Sequence, residues 1–163
     1  MAARTIARAP LALLAASLAT LAAALGFQHI GGLDPCVLCI YQRWPYLAVA
    51  GICGVALLVR SWTRPALFAC AGAFVAGLGL AGFHVGVEQG WWAGTAACGA
   101  AGGATTVEEL RAAIMSAPVA RCDTVAWSLF GISMAGYNFL LSAALAAASV
   151  LAGLRWQARD AAR

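Results

Sequence analysis

Along the chain, four long apolar stretches alternate with short polar or turn-rich ones, and the stretches are runs of Ala, Leu, Val and Gly without a periodic polar face. The first, Pro10 to Ile30, has 21 residues and no charge. At about 1.5 Å per residue that covers a hydrocarbon core of roughly 30 Å. The others run over about 44–59, 65–87 and 127–154. The second is short for a span, so it is expected to recruit the turn that begins near Cys36, with Arg43 in its outer end and Pro45 kinking it. The pattern predicts an all-α membrane protein, a four-transmembrane-helix bundle forming a single domain over residues 1–163, with connections at about 31–43 and 88–126.

Composition agrees: 63% of the 163 residues are hydrophobic and 10% charged, too apolar for a soluble domain of this size. The N-terminal stretch also has the outline of a cleaved signal peptide, with an arginine-bearing start and small residues at Ala22 to Ala24, although its apolar run is long for one. All ten basic residues are arginine. Four spans put Arg4, Arg8, Arg60, Arg64, Arg155, Arg159 and Arg163 on one side of the bilayer. Arg43, Arg111 and Arg121 fall on the other, among Asp34, Glu88, Glu108, Glu109 and Asp123. Arginine marks the cytoplasmic side, so both termini are expected inside and both long connections outside.

That topology sorts the six cysteines. Cys53 and Cys70 fall inside spans, where cysteine acts as a small apolar residue. Cys36 and Cys39 occupy the first outer loop, Cys98 and Cys122 the second, in the compartment where disulfides persist. Three uses compete for these four. A zinc site pairs two close spacings, which the second pair lacks, and no metal is expected. A staple suits the second loop, where a bridge contributes about 3 to 4 kcal/mol. It suits the first pair badly, because a loop of three residues removes little entropy, whereas this spacing recurs in thiol oxidoreductases. If Asp34 caps a helix with Pro35 as its first residue, Cys36 sits among free N–H groups that favour thiolate, opposed by the Asp34 charge.

The residues "FQHIGGLDPCVLCIYQR", Phe27 to Arg43, resemble the first outer loop of the disulfide bond formation protein B (DsbB) family, quinone-dependent membrane oxidases of the bacterial periplasm. "CDTVAWSLFGISMAGYN", Cys122 to Asn138, resembles that family's entry into the fourth span. The likeness covers nearly the whole chain, and starting at Phe27 it favours retention of the first span. It implies a protein of the bacterial inner membrane that reoxidises a soluble thioredoxin-like (DsbA-like) donor and passes the electrons to ubiquinone or menaquinone, with no nucleic-acid partner. By family position Cys98 would face the donor and Cys122 would resolve it, bridging transiently to Cys36. Cys39 would lie next to the quinone, with Arg43 as the quinone-site residue.

The residues add their own argument. Cys36, Cys39 and Arg43 would share one face of a continuous helix, where a buried guanidinium is costly unless it snorkels or serves a ligand. Trp44 and Tyr46 read as interface aromatics. His84 and Glu88, four residues apart, share a face near the outer end of the third span and are candidates for proton handling or for hydrogen bonds between helices. Gly82, Gly86 and Gly90 would let another helix approach. In the second loop Thr106 and Glu109 fit a capping box, with Val107, Leu110 and Ile114 as an apolar stripe lying on the membrane surface, while the glycine-rich stretch around Cys98 keeps that cysteine movable.

Other classes make different demands. A haem carrier would need His29 and His84 as axial ligands. A vitamin K epoxide reductase-like enzyme resembles this one in chemistry, but there the shuttle cysteines precede the CxxC. A scaffold braced by disulfides would not need Cys39.

Overall fold

The computed structural model describes residues 8–95, 98, 106–116 and 120–161. Its elements are α1 (Arg8–His29), α2 (Val37–Tyr41), α3 (Trp44–Leu58), a 3-10 turn (Arg60–Trp62), α4 (Thr63–Glu88), α5 (Val107–Ser116), a hairpin of β1 (Ser128–Leu129) and β2 (Ile132–Ser133), and α6 (Met134–Ala161). The four long helices pack as a bundle in which α4 lies between α3 and α6, α1 lies on α3, and α1 and α6 barely touch. That last gap is where the site forms.

The bundle is apolar outside and tightly packed within. Leu11, Leu18, Val55, Leu58, Val75, Leu140 and Leu151 point outward, as expected of helices facing lipid. Inside, Leu13, Tyr46, Val49, Cys53, Leu67, Cys70 and Phe74 form one core. The Cys53 and Cys70 sulfurs lie there 3.6 Å apart. At Gly77 the backbone of α4 approaches Pro45 of α3 and Ser142 of α6 so closely that a Cβ would stand 3.3 Å from the proline ring.

Among the described residues, three segments are long and apolar enough to cross a membrane: Arg8–His29, Arg60–Glu88 and Met134–Trp156. The second expected span falls short, because α3 has 15 residues, about 22 Å. Pro45 explains the break. It stands in the first turn of α3, where no N–H is required, so it starts a helix instead of kinking one. Residues 42 and 43 form a turn, and α2 is separate from α3.

The expected last span is corrected at its start. Residues 128–133 are a β-hairpin, Ser128 pairing with Ser133 and Leu129 with Ile132, and the helix begins at Met134. The two turn residues, Phe130 and Gly131, both have positive φ (50° and 77°), the geometry that matches strand twist in two-residue hairpins. The glycine repeat is also put to a different use. Gly82 meets the Phe139 ring, whereas Gly86 makes room for Trp92, whose ring a Cβ would overlap. Gly90 (φ 70°) ends α4: its N–H donates to Val87 O and that of Trp91 to Gly86 O, satisfying the last carbonyls.

The capping box of α5 is present as read. Thr106 N–H donates to Glu109 Oε2 and Glu109 N–H to Thr106 Oγ1, each at 3.2 Å. Val107 is exposed, while the side chains of Leu110 and Ile114 and the glycine-rich stretch 99–104 lie outside the described residues. So do Arg4 and Arg163.

Candidate active site

The first cysteine pair is built by a short helix. Cys36, not Asp34, caps α2: its sulfur accepts the Cys39 N–H at 3.2 Å, as a capping side chain does at a helix start. The two sulfurs are 2.9 Å apart, with Cys36 buried and Cys39 partly so. A hydrogen bond joins the two sulfurs, and its effect on Cys36 outweighs burial. With the neighbouring His84 ring and the Cys39 N–H, it holds Cys36 down at about 4. Cys39 is pushed well above the ordinary thiol range by the same hydrogen bond and by burial. The pair therefore shares one proton, carried by Cys39, with the negative charge on Cys36.

The second pair is bridged, Cys98 to Cys122, and both residues are buried. Gly94 lies against Cys98, where a Cβ would come 3.0 Å from the cysteine's own, and Thr95 O accepts the Cys98 N–H. Cys36, Leu38, Val87, Cys98 and Cys122 form a single apolar cluster, with Cys39 packed against it. The fold thus gathers Cys36, Cys39, Cys98 and Cys122 at one end of α4.

His84, on the last turns of α4, is 3% exposed and faces this cluster. Its Nε2 is 3.6 Å from Cys36 Sγ and 3.9 Å from Glu88 Oε1, and its Nδ1 is 2.7 Å from Gln42 Nε2. From Gln42 the contacts continue. Asn138 Nδ2 donates to Gln42 Oε1, Tyr46 OH donates to Asn138 Oδ1, and Ser142 Oγ lies 3.2 Å from Tyr46 OH. Glu88 accepts a hydrogen bond from Ser133 Oγ of the hairpin.

On the far side of the pair from the bridge, α1, α3 and α6 enclose a cavity of about 370 Å³. Cys39, Gln42, Arg43, Tyr46, His84 and Asn138 give it a polar end, and Leu21, Phe27, Met134 and Leu141 give it apolar walls. Arg43 Nη1 donates to Gln28 Oε1 at 2.9 Å, while its Nε is buried without a partner among the described residues.

Of the residues singled out from sequence, Cys36, Cys39, Arg43, His84, Glu88, Cys98 and Cys122 all come together here, although the break before Trp44 means that Arg43 reaches the cavity from a turn. Trp44 is exposed, as an interface aromatic should be, but Tyr46 is 2% exposed. Two residues along the helix it faces inward, where Asn138 and Ser142 take its hydroxyl. His29 is exposed at the end of α1 and does not line the cavity that His84 faces, so no haem-like pair forms. Gln42, Asn138, Gln28 and Ser133 were not singled out. Asn138 carried a signal, being a polar amide inside an apolar run, and so did Gln42, three residues after Cys39.

Residues 6–152 match a family model described as Disulfide bond formation protein DsbB. The chain is 32% identical over 146 residues to the disulfide bond formation protein B of Polaromonas sp. (strain JS666 / ATCC BAA-500), covering 80% of each chain. It is 32% identical over 149 residues to the protein of that name from Verminephrobacter eiseniae (strain EF01-2), covering 80% of this chain and 76% of that one. To the uncharacterized protein RP370 of Rickettsia prowazekii (strain Madrid E) it is 29% identical over 138 residues, 83% of this chain and 80% of that one. No solved structure matches the chain.

Proposed function

The chain belongs to the disulfide bond formation protein B (DsbB) family, membrane proteins of disulfide formation, and from that premise we propose that it is a quinone-dependent protein-dithiol oxidase. It reoxidises a soluble thioredoxin-like, DsbA-like donor at the outer face of the bacterial inner membrane. It spans the membrane four times, α3 being the short second span, with both termini cytoplasmic and both cysteine loops periplasmic.

The observation that carries this reading is the position of Cys36 and Cys39 between the Cys98–Cys122 bridge on one side and the cavity with Arg43 on the other. The donor's thiolate attacks Cys98 of the bridge and its second thiol releases the mixed disulfide, leaving the donor oxidised and Cys98 and Cys122 reduced. The Cys122 thiolate then attacks Cys36 of an oxidised Cys36–Cys39 pair, forming a transient Cys36–Cys122 bond and freeing Cys39. Attack of Cys98 on Cys122 restores the second bridge and leaves Cys36 and Cys39 as dithiols. Closing to a disulfide, that pair gives up two electrons and the one proton it holds.

The cavity residues fit a quinone. The orphaned Arg43 Nε supplies an always-charged donor, Gln42 and His84 supply further polar contacts, and Phe27, Met134 and Leu141 supply an apolar wall. A quinone bound there provides the two-electron, two-proton acceptor. Low local polarity makes a fixed guanidinium effective at stabilising negative charge in the cavity. His84, touching Cys36 on one nitrogen and the Gln42–Asn138–Tyr46 chain on the other, takes the thiol proton, with Glu88 beside it.

The test mixes purified protein with a reduced thioredoxin-like donor and a soluble quinone and follows quinone absorbance. Wild type and the Cys53→Ser and Cys70→Ser variants should turn over, while Ser at Cys36, Cys39, Cys98 or Cys122 should abolish turnover. Absence of quinone reduction with several donors overturns the reading.

A further inference from the structure

Two thiols and an imidazole meet at the outer end of α4. Cys36 Sγ, Cys39 Sγ and a ring nitrogen of His84 all lie within 4.8 Å of one another, and His84 comes from 48 residues beyond Cys36. We propose that in the dithiol state Cys36, Cys39 and His84 bind a thiophilic divalent cation of the zinc or cadmium type. This goes beyond the oxidase reading and does not rest on it.

The geometry is close to what such an ion takes. Tetrahedral zinc holds sulfur at about 2.3 Å and nitrogen at about 2.0–2.1 Å, which sets ligand atoms roughly 3.5–3.8 Å apart. Cys36 Sγ and His84 Nε2 already stand at 3.6 Å. The sulfurs, at 2.9 Å, must separate by less than about 1 Å, and Cys39 has room to turn because it borders the cavity. Glu88 Oε1 stands behind the imidazole, 3.9 Å from His84 Nε2, on a side chain 5% exposed, and the three ligands leave the fourth position to solvent or the cavity side.

Metal on Nε2 requires His84 to keep its proton on Nδ1 and donate it. Gln42 faces that nitrogen at 2.7 Å, and turning its amide over presents an oxygen. The amide of Asn138 can turn with it, because the Tyr46 hydroxyl beyond both donates and accepts. The hydrogen-bonded chain thus serves either tautomer.

Binding exchanges the one proton that the pair holds for the ion, with no change in oxidation state: M²⁺ plus a thiolate, a thiol and an imidazole gives the bis-thiolate complex and one H⁺. A Cys36–Cys39 disulfide has no thiolate to offer, so affinity is gated by the redox state of the pair. The occupied site cannot close to a disulfide, which makes the ion an inhibitor of any reaction that needs closure.

The test uses full-length protein in detergent, reduced with a phosphine, desalted without oxygen and titrated with Cd²⁺. Thiolate-to-cadmium absorption and metal analysis read the occupancy, and maleimide labelling with peptide mapping reads which sulfurs are covered. We expect one cadmium per chain on the Cys53→Ser, Cys70→Ser, Cys98→Ser, Cys122→Ser protein. Affinity should fall about tenfold or more with His84→Ala, and Cys36 and Cys39 of the wild type should be protected from maleimide. If the quadruple variant does not fold, wild-type protection decides. Unprotected Cys36 and Cys39, equal binding by the disulfide form, or unchanged affinity in His84→Ala overturns the proposal.

Discussion

Cys36 and Cys39 are chemically unequal although they stand three residues apart in one motif. Cys36 accepts the Cys39 N–H and stands against the His84 ring, and Cys39 has neither contact. With its pKa lowered to about 4, Cys36 is thiolate at any pH above that value and loses its charge only as pH falls through it. Alkylation of Cys36 in the reduced protein, read by mass spectrometry, should therefore be nearly level from about pH 6 to 8 and drop near 4. Cys39→Ala removes the largest cause of the shift and should cut the rate at pH 6 by about tenfold or more; a rate that climbs steadily toward pH 9 in both proteins contradicts the assignment. Arg43 supports a second prediction. Arg43→Met should raise the KM for a soluble quinone by about tenfold or more while leaving the Cys98–Cys122 bridge open to the donor, because one charge-assisted hydrogen bond contributes about 1.5–3 kcal/mol. Stopped-flow donor oxidation separates the two effects. The CxxC and Arg43 were legible because motif and charge stand out in an apolar chain. The inequality of the sulfurs was not, since the deciding His84 comes from another helix.

At the scale of elements, what could be read depended on whether the partners are local. The Thr106–Glu109 box needs only residues three apart and was readable directly. The stretch Trp127 to Ser133 reads as span because most of it is apolar, and only Gly131 hints at the turn that, with Phe130 at positive φ, makes a hairpin. That hairpin carries Ser133 to Glu88, at the edge of the site. Likewise, the glycine repeat of α4 suggested helix approach, whereas Gly86 accommodates Trp92, which stacks on Phe83 at 5.9 Å and donates Nε1–H to Phe83 O. Gly86→Ala should displace the ring and destabilise the protein by about 1–3 kcal/mol. Thermal unfolding in detergent, with tryptophan emission as the probe, checks this; an unchanged midpoint contradicts the packing.

The whole molecule places a bridged cysteine pair, a reduced pair and a cavity in succession at one end of its helices. The apolar pattern, a property of the entire chain, predicted the frame of long helices. The cavity was not predictable, because it lies where α1 and α6 barely touch and its lining is drawn from five helices, Cys39 of α2 and His84 of α4 included. The topology is tested by fusions at the C-terminus: a fluorescent protein that matures only in the cytoplasm should be bright there, and an alkaline phosphatase that folds only in the periplasm should be inactive. The reverse pattern contradicts the orientation. The central claim is that the two pairs are consecutive stations of one relay, which requires Cys36 and Cys122 to bond. In the Cys39→Ser, Cys98→Ser variant neither sulfur keeps its usual mate, so mild oxidation followed by peptide mapping should recover a Cys36–Cys122 disulfide in most chains. Recovery of both residues as free thiols in folded protein would contradict the relay.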